Sequence, residues 1–341
     1  MNLNNMRISP GYFSSMGDLT LGQVLLILSQ EHGTQVATEL TRKFCLQSTS
    51  DEIQRVGLEF LYINGFYDDL YELIDKNMES LNPRNRVWAK VYKIMIYNKL
   101  VGNSFEELRE ELKAIKAPDP ELKCLIEITI MDTYYNQREF GKVGNLIDKQ
   151  FMLFDAINDE YLLSCFNQRF YQRLFIYYWK RNELIIARKY AFRALNQTTN
   201  PSTKANLHTN LGLTYSFDTY YQGMYHLKEA LRIAQKHNLK RRIISIEKYN
   251  IPFLSAHFKK VRGIHSDDIS EQAHIEIAKG NPDKAIQLLE GISLDSPFKM
   301  YYMGLAKQDE NLLFQSYNDF IEKRRDYFFS RLPLNALKNL K

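Results

Sequence analysis

A chain of 341 residues, 45% hydrophobic and 13% aromatic, can bury a large core, as two or three compact domains or as one continuous repeat array. Its net charge of +5 falls short of the basic stripe of a dedicated nucleic-acid binder. Its three cysteines, Cys45, Cys124 and Cys165, are too widely spaced for a disulfide framework or a zinc site and read as reduced, packed thiols.

The first 17 residues read as an N-terminal extension. They lack the apolar core of a signal peptide, and no later stretch approaches about 18 uninterrupted apolar residues, so a cytoplasmic protein without a membrane span is expected. "DLTLGQVLLILSQEHG" predicts a helix with Asp18 as N-cap and Gly33 as C-cap. "TSDEIQRVGLEFLYINGFYDDLYELIDKNM" predicts two amphipathic helices broken at Asn64-Gly65. A loop follows at "GNSFEE" (102–107). "DPELKCLIEITIMDTYYNQREFGKVGNLIDKQF" repeats the paired design with a turn from Gln137 to Phe140. The segment 158–197 repeats it again, turning at Arg181-Asn182.

Residues 206–234 are the best tetratricopeptide-type match, with Leu211, Gly212 and Tyr215 on one helix and Gly223, Leu227 and Ala230 on the next. Gly212 and Gly223 would allow close approach of the two helices. A loop at 259–268 precedes "AHIEIAKGNPDKAIQLLEGI", with a Gly280-Asn281-Pro282 turn and Ala285 in register. Strand signals are almost absent. Recurrence of helix pairs at roughly 33 to 40 residues marks helical-hairpin solenoids. The predicted fold is therefore all-α, a right-handed superhelix of tetratricopeptide-like hairpins over 18–341, with an N-terminal half at 18–156 and a groove-forming C-terminal half at 157–341. Its abundant aromatics are expected to be core between stacked helices.

Catalytic and metal signatures are missing from the sequence, and no cofactor is expected. "FGKVGN" (140–145) superficially resembles a phosphate loop but falls at a hairpin turn and lacks a Ser or Thr after its lysine. The histidines are scattered, and His208 reads as a partly buried helix residue.

Asn206 and Asn210 raise a different possibility. Residues i and i+4 project together from a helix, and first helices line the concave face of such solenoids. An Asn amide donates to a peptide carbonyl and accepts from a peptide N–H at once, so a ladder of asparagines suits an extended peptide backbone. Asn167 lies about one repeat earlier, and Arg193 would bring a cation to a carboxylate. Solvated amides and a surface arginine are the plainer alternative.

The tail "YYMGLAKQDENLLFQSYNDFIEKRRDYFFSRLPLNALKNL" resembles the C-terminal region of the arbitrium receptors, peptide-sensing regulators of temperate Bacillus phages within the Rap/PlcR-type quorum-sensing superfamily. Its most specific part runs from Asp326 to Leu334, an Asp-x-Phe-Phe-x-Arg-Leu-Pro-Leu string. "WAKVYKI" (88–94), "CFNQR" (165–169) and "FSSM" with the following helix (13–28) follow the family's order. The resemblance implies a pocket for a signalling peptide of about six residues. It places the family's pocket residues on Asn167, Arg193, Asp326 and Phe328; Asn206 and Asn210 are additions from helix geometry alone. Arg193 would hold the peptide's carboxylate and Asp326 an amino group or internal cation.

Set beside the family, the sequence is expected to lack the N-terminal helix-turn-helix domain and the terminal dimerisation helix. That argues against direct DNA binding and leaves a regulatory protein partner or a homodimer as the expected association. The non-enzymatic alternatives are a Rap-like protein-binding regulator and a helical-repeat scaffold without a peptide ligand.

Overall fold

The computed structural model describes Met16 and residues 18–97 and 104–340, and every regular element among them is helical. The expected N-terminal extension lies mostly outside the described residues, as do Phe13 to Ser15 of "FSSM". Two compact units emerge, interleaved in sequence.

The first unit contains the described residues through Thr133 together with Leu146–Phe170. Its helices are α1 (Leu21–His32), α2 (Thr34–Gln47), α3 (Asp51–Asn64), α4 (Tyr67–Met78), α5 (Pro83–Tyr97) and α6 (Phe105–Ala114). It also includes parts of α7 (Pro120–Asn136), α8 (Phe140–Phe154) and α9 (Glu160–Lys180). Asp18 is not the N-cap of α1. Thr20 is, because its hydroxyl accepts from the Gln23 N–H while the Gln23 side chain accepts from the Thr20 N–H. That capping box satisfies two orphan donors at once, which an aspartate two residues upstream cannot do. Gly33 ends α1 as expected, and its φ of 75° turns the chain directly into α2. Gly65, left-handed at φ 84°, closes α3 where the break was read.

Two segments that carry the family resemblance meet inside this unit. The Tyr92 hydroxyl donates to Glu59, and Arg169 donates to the same carboxylate at 3.1 Å while lying over the Tyr62 ring. Burial pushes the Glu59 carboxyl up, and the Arg169 charge opposes it. The three cysteines are buried, and desolvation raises each thiol. They are inert packing groups.

The second unit contains Tyr134–Asn145 and the chain from Tyr171 onward. It adds α10 (Leu184–Gln197), α11 (Pro201–Thr214), α12 (Tyr220–Lys236), α13 (Lys240–Ser245), α14 (Ile251–His257) and α15 (Ile269–Ala278). Then come α16 (Pro282–Glu290), α17 (Pro297–Lys307), α18 (Glu310–Asn318) and α19 (Arg331–Leu340). Single π-helical turns occupy Ile246–Asn250 and Asp319–Lys323. The hairpin turns fall where they were read, with Arg138, Asn182 and Gly280 at φ 63°, 65° and 82°. A continuous core runs through the unit and includes Trp179, Phe253, Tyr302, Phe320, Phe328 and Phe329. The aromatic excess of the sequence is spent largely on packing, as expected.

Candidate functional site

A cavity of about 630 Å³ opens within the second unit, in the size range of ligand-binding pockets, about 300–1,000 Å³. Seven stretches distant in sequence build it, two of them being Glu271 and the pair Ser296 and Phe298. The end of α7 and the following turn contribute Tyr135, Asn136 and Arg138; α9 contributes Ile176, Trp179 and Lys180. Asn210 and Leu213 come from α11, Tyr249 and Asn250 from the first π-turn, and Arg324, Asp326 and Phe329 from the tail. π-turns inside α-helices recur at functional sites because the extra residue re-aims side chains. Here the first one delivers two adjacent lining residues, and the second ends immediately before Arg324.

The charges in the cavity are unequal. Asp326, only 3% exposed, accepts from the Lys180 ammonium at 2.7 Å and from the Phe329 N–H at 3.1 Å. The Phe328 N–H donates to the Lys180 carbonyl, so the tail motif clasps the end of α9 from both sides. The Lys180 ammonium also lies over the Trp179 ring at 4.0 Å. Burial draws Lys180 down, and the Asp326 charge resists this. Burial likewise lowers Arg324, and the neighbouring Arg138 charge lowers it further. Neither Arg138 nor Arg324 is ion-paired with a described residue. Burial pushes Glu271, the remaining acid in the lining, up to about 8, so it is predominantly protonated at neutral pH and adds little negative charge.

Of the residues expected from sequence, Asn210 and Asp326 both line this cavity. Phe328 is fully buried against Trp179 and Phe217, and it is Phe329 that reaches the lining. Asn206, one turn before Asn210, accepts from the Arg242 guanidinium at 2.9 Å. Arg193 is exposed on α10, outside the lining, 5.7 Å from the Tyr171 ring and 5.8 Å from Tyr190. Asn167 belongs to the first unit, where its amide donates to the Leu163 carbonyl at 3.0 Å. His208 is half-buried, as read, but has a partner that spacing along one helix could not reveal. Its Nδ1 lies 3.0 Å from Nδ1 of His226 on α12, and desolvation lowers both rings, His226 to about 4.

Arg138, Lys180 and Arg324 were missed from sequence. Each sits at a hairpin turn or beside the tail motif, where a basic residue ordinarily reads as solvated. Only the proximity of Arg324 to the Asp326 string was a usable signal.

A family model described as AimR transcriptional regulator-like matches residues 37–339. The AimR transcriptional regulator of Bacillus phage SPbeta is 25% identical over 326 residues, an alignment spanning 89% of this chain and 80% of that protein. The same figures hold for the SPbeta prophage-derived uncharacterized protein YopK of Bacillus subtilis (strain 168). Among solved structures, "Structure of phAimR-Ligand" superposes with a TM-score of 0.78 at 22% identity, covering 94% of this chain and 98% of that one. "Structure of SeMet-phAimR" does so at 0.69 and 23%, covering 94% and 85%. At such identities these two speak to the fold alone.

Proposed function

The chain belongs to the AimR transcriptional regulator-like family, and on that premise we propose that it is a cytoplasmic receptor for a short signalling peptide. Binding would shift its conformation and so control a regulatory partner or transcription in arbitrium-type lysis–lysogeny signalling. The observation that carries this reading is the cavity of the second unit, where aromatic walls, three asparagine amides and buried charge converge from seven stretches. Aromatic surfaces supply affinity for apolar side chains, and amides pair with a peptide backbone without demanding a particular sequence.

In this reading Asn210 pairs with the peptide backbone, Asp326 holds the charged end of the cavity through Lys180, and Phe328 supports the aromatic wall behind Phe329. Asn206 and Arg193 meet parts of the peptide that extend past the cavity. Asn167 enters through the family resemblance. A receptor that shifts between shapes needs a ligand with unequal affinity for them. An exposed apolar wall that a peptide covers in one shape meets that need.

The test is calorimetric titration of the protein with hexapeptides encoded in short reading frames beside its gene. A cognate peptide is expected to bind, and Asn210→Ala to weaken it by roughly 1 kcal/mol, since the backbone groups left behind find water. Absence of any binding below about 100 µM, an affinity of only about 5.5 kcal/mol, would sink the peptide reading in favour of a protein-binding scaffold.

A further inference from the structure

We propose that the peptide carries a carboxylate into the cavity and that Arg138 and Arg324 seat it, so the ligand is acidic where the sequence had suggested a basic contact. This inference rests on the peptide reading above and adds the chemistry of the ligand.

Three observations point this way. First, Asp326, the residue poised by sequence to receive a peptide cation, already has one: the Lys180 ammonium at 2.7 Å, 8% exposed by residue and held against the Trp179 and Phe329 rings. A peptide amine taking that carboxylate would strand a buried ammonium, which is strongly unfavourable. Second, Arg138 and Arg324 reach the same cavity from unrelated segments, and neither has an ion-pair partner among the described residues. Arg138 stands on a left-handed turn at φ 63°, and Arg324 directly follows a π-turn. Third, Glu271 does not balance them, because burial keeps it predominantly protonated. The lining therefore holds three basic side chains, Arg138, Lys180 and Arg324, against one ion-paired carboxylate.

The Arg138 charge lowers Arg324, so the two guanidinium groups repel, and each presents a planar fork of donors matched to a carboxylate. A carboxylate bound between them removes the repulsion and satisfies both forks. It would come from an Asp or Glu side chain or from the peptide's own C-terminus. Arg193, on the outside of α10 over two tyrosine rings, is not placed to compete for it within the cavity.

The experiment synthesises each hexapeptide that binds in three forms: native, with Asp or Glu replaced by Asn or Gln, and with a C-terminal amide. All are titrated against the full chain and against Arg138→Gln, Arg324→Gln and Arg193→Ala. One peptide change is expected to weaken binding about tenfold or more, and which change does so identifies the source of the carboxylate. Arg138→Gln and Arg324→Gln should reproduce that loss with the native peptide and add little with the altered one, the signature of a shared interaction. Both arginines lie outside the core, so unchanged thermal unfolding of the variants is expected and separates a lost contact from a lost fold. If all three peptide forms bind equally, or only Arg193→Ala weakens the native peptide, the carboxylate seat is wrong while the peptide reading stands. If no hexapeptide binds at all, the peptide reading fails and this inference fails with it.

Discussion

Glu271 is a carboxyl held in its acid form by its surroundings. It accepts from the Tyr302 hydroxyl at 3.0 Å, its other oxygen has no hydrogen-bond partner among the described residues and lies 3.7 Å from His274 Nδ1, and His274, stacked on Tyr302, is itself lowered by burial to about 3. Its pKa rises from the usual 4.5 to about 8 on folding. At this group the folded state therefore binds more protons than the unfolded chain between those values, and its contribution to stability is full below about pH 4.5 and lost as pH rises through 8. Glu271→Gln keeps an acceptor for Tyr302 and removes the titration. Urea unfolding is expected to show the variant more stable than the parent at pH 8 by on the order of a few kcal/mol, with little difference near pH 5. The buried histidines act in the opposite sense, costing stability below about pH 6.5, but equally in both proteins. Equal stability at both pH values would mean that burial does not hold the Glu271 carboxyl in its acid form.

Among elements, the crossing of α11 and α12 depends on two missing side chains. A Cβ on Gly212 would lie 2.8 Å from the Gly223 carbonyl oxygen and 2.8 Å from Leu227, and one on Gly223 would meet Leu254 and the Gly212 carbonyl. Backbone cannot give way as a flexible side chain can, so the helices must separate. Gly212→Ala is expected to cost about 1–3 kcal/mol by overpacking, read as a lower urea midpoint. Gly291→Ala is the comparison: that residue is at φ −78° and its Cβ would meet only an ordinary contact at 3.6 Å. It should be neutral within about 0.5 kcal/mol. Equal effects at the two sites would show that helix propensity, and not close approach, governs this crossing. This crossing was legible in advance, because the glycines fall eleven positions apart on successive helices at spacings where only a small residue fits. The Thr20 capping box was also legible, in Thr-x-x-Gln, but Asp18 offered an equally plausible cap and drew the reading upstream.

For the whole molecule, a ligand confined to the cavity should leave a pattern that no single segment could produce. Hydrogen exchange with and without a cognate peptide is expected to slow together at 135–140, 176–180, 210–213, 249–253, 271, 296–298 and 324–329, the stretches that line it. Exchange over α3 and α4 in the first unit, which contribute nothing to the lining, would report only coupling between units. Slowing restricted to α10, around Arg193, would move the peptide out of the cavity and onto the exposed helix face.

What the sequence determined by itself was local and periodic. Helix patterning, glycines and asparagines at the turns, and close-packing glycines are encoded within a few residues, so the all-helical hairpin fold and most of its boundaries were readable. The Asp326–Leu334 string was readable as a family mark, though its physical task, clasping the end of α9 through Lys180, was not. Tertiary structure alone decided which charges share a cavity. Arg138, Lys180 and Arg324 are separated by 42 and 144 residues along the chain, and nothing in local spacing records that the fold gathers them. Nor does spacing record that burial neutralises Glu271, or that Asp326 already has its cation. Desolvation and ion pairing depend on what surrounds a group in space, and that is the information a linear pattern does not carry.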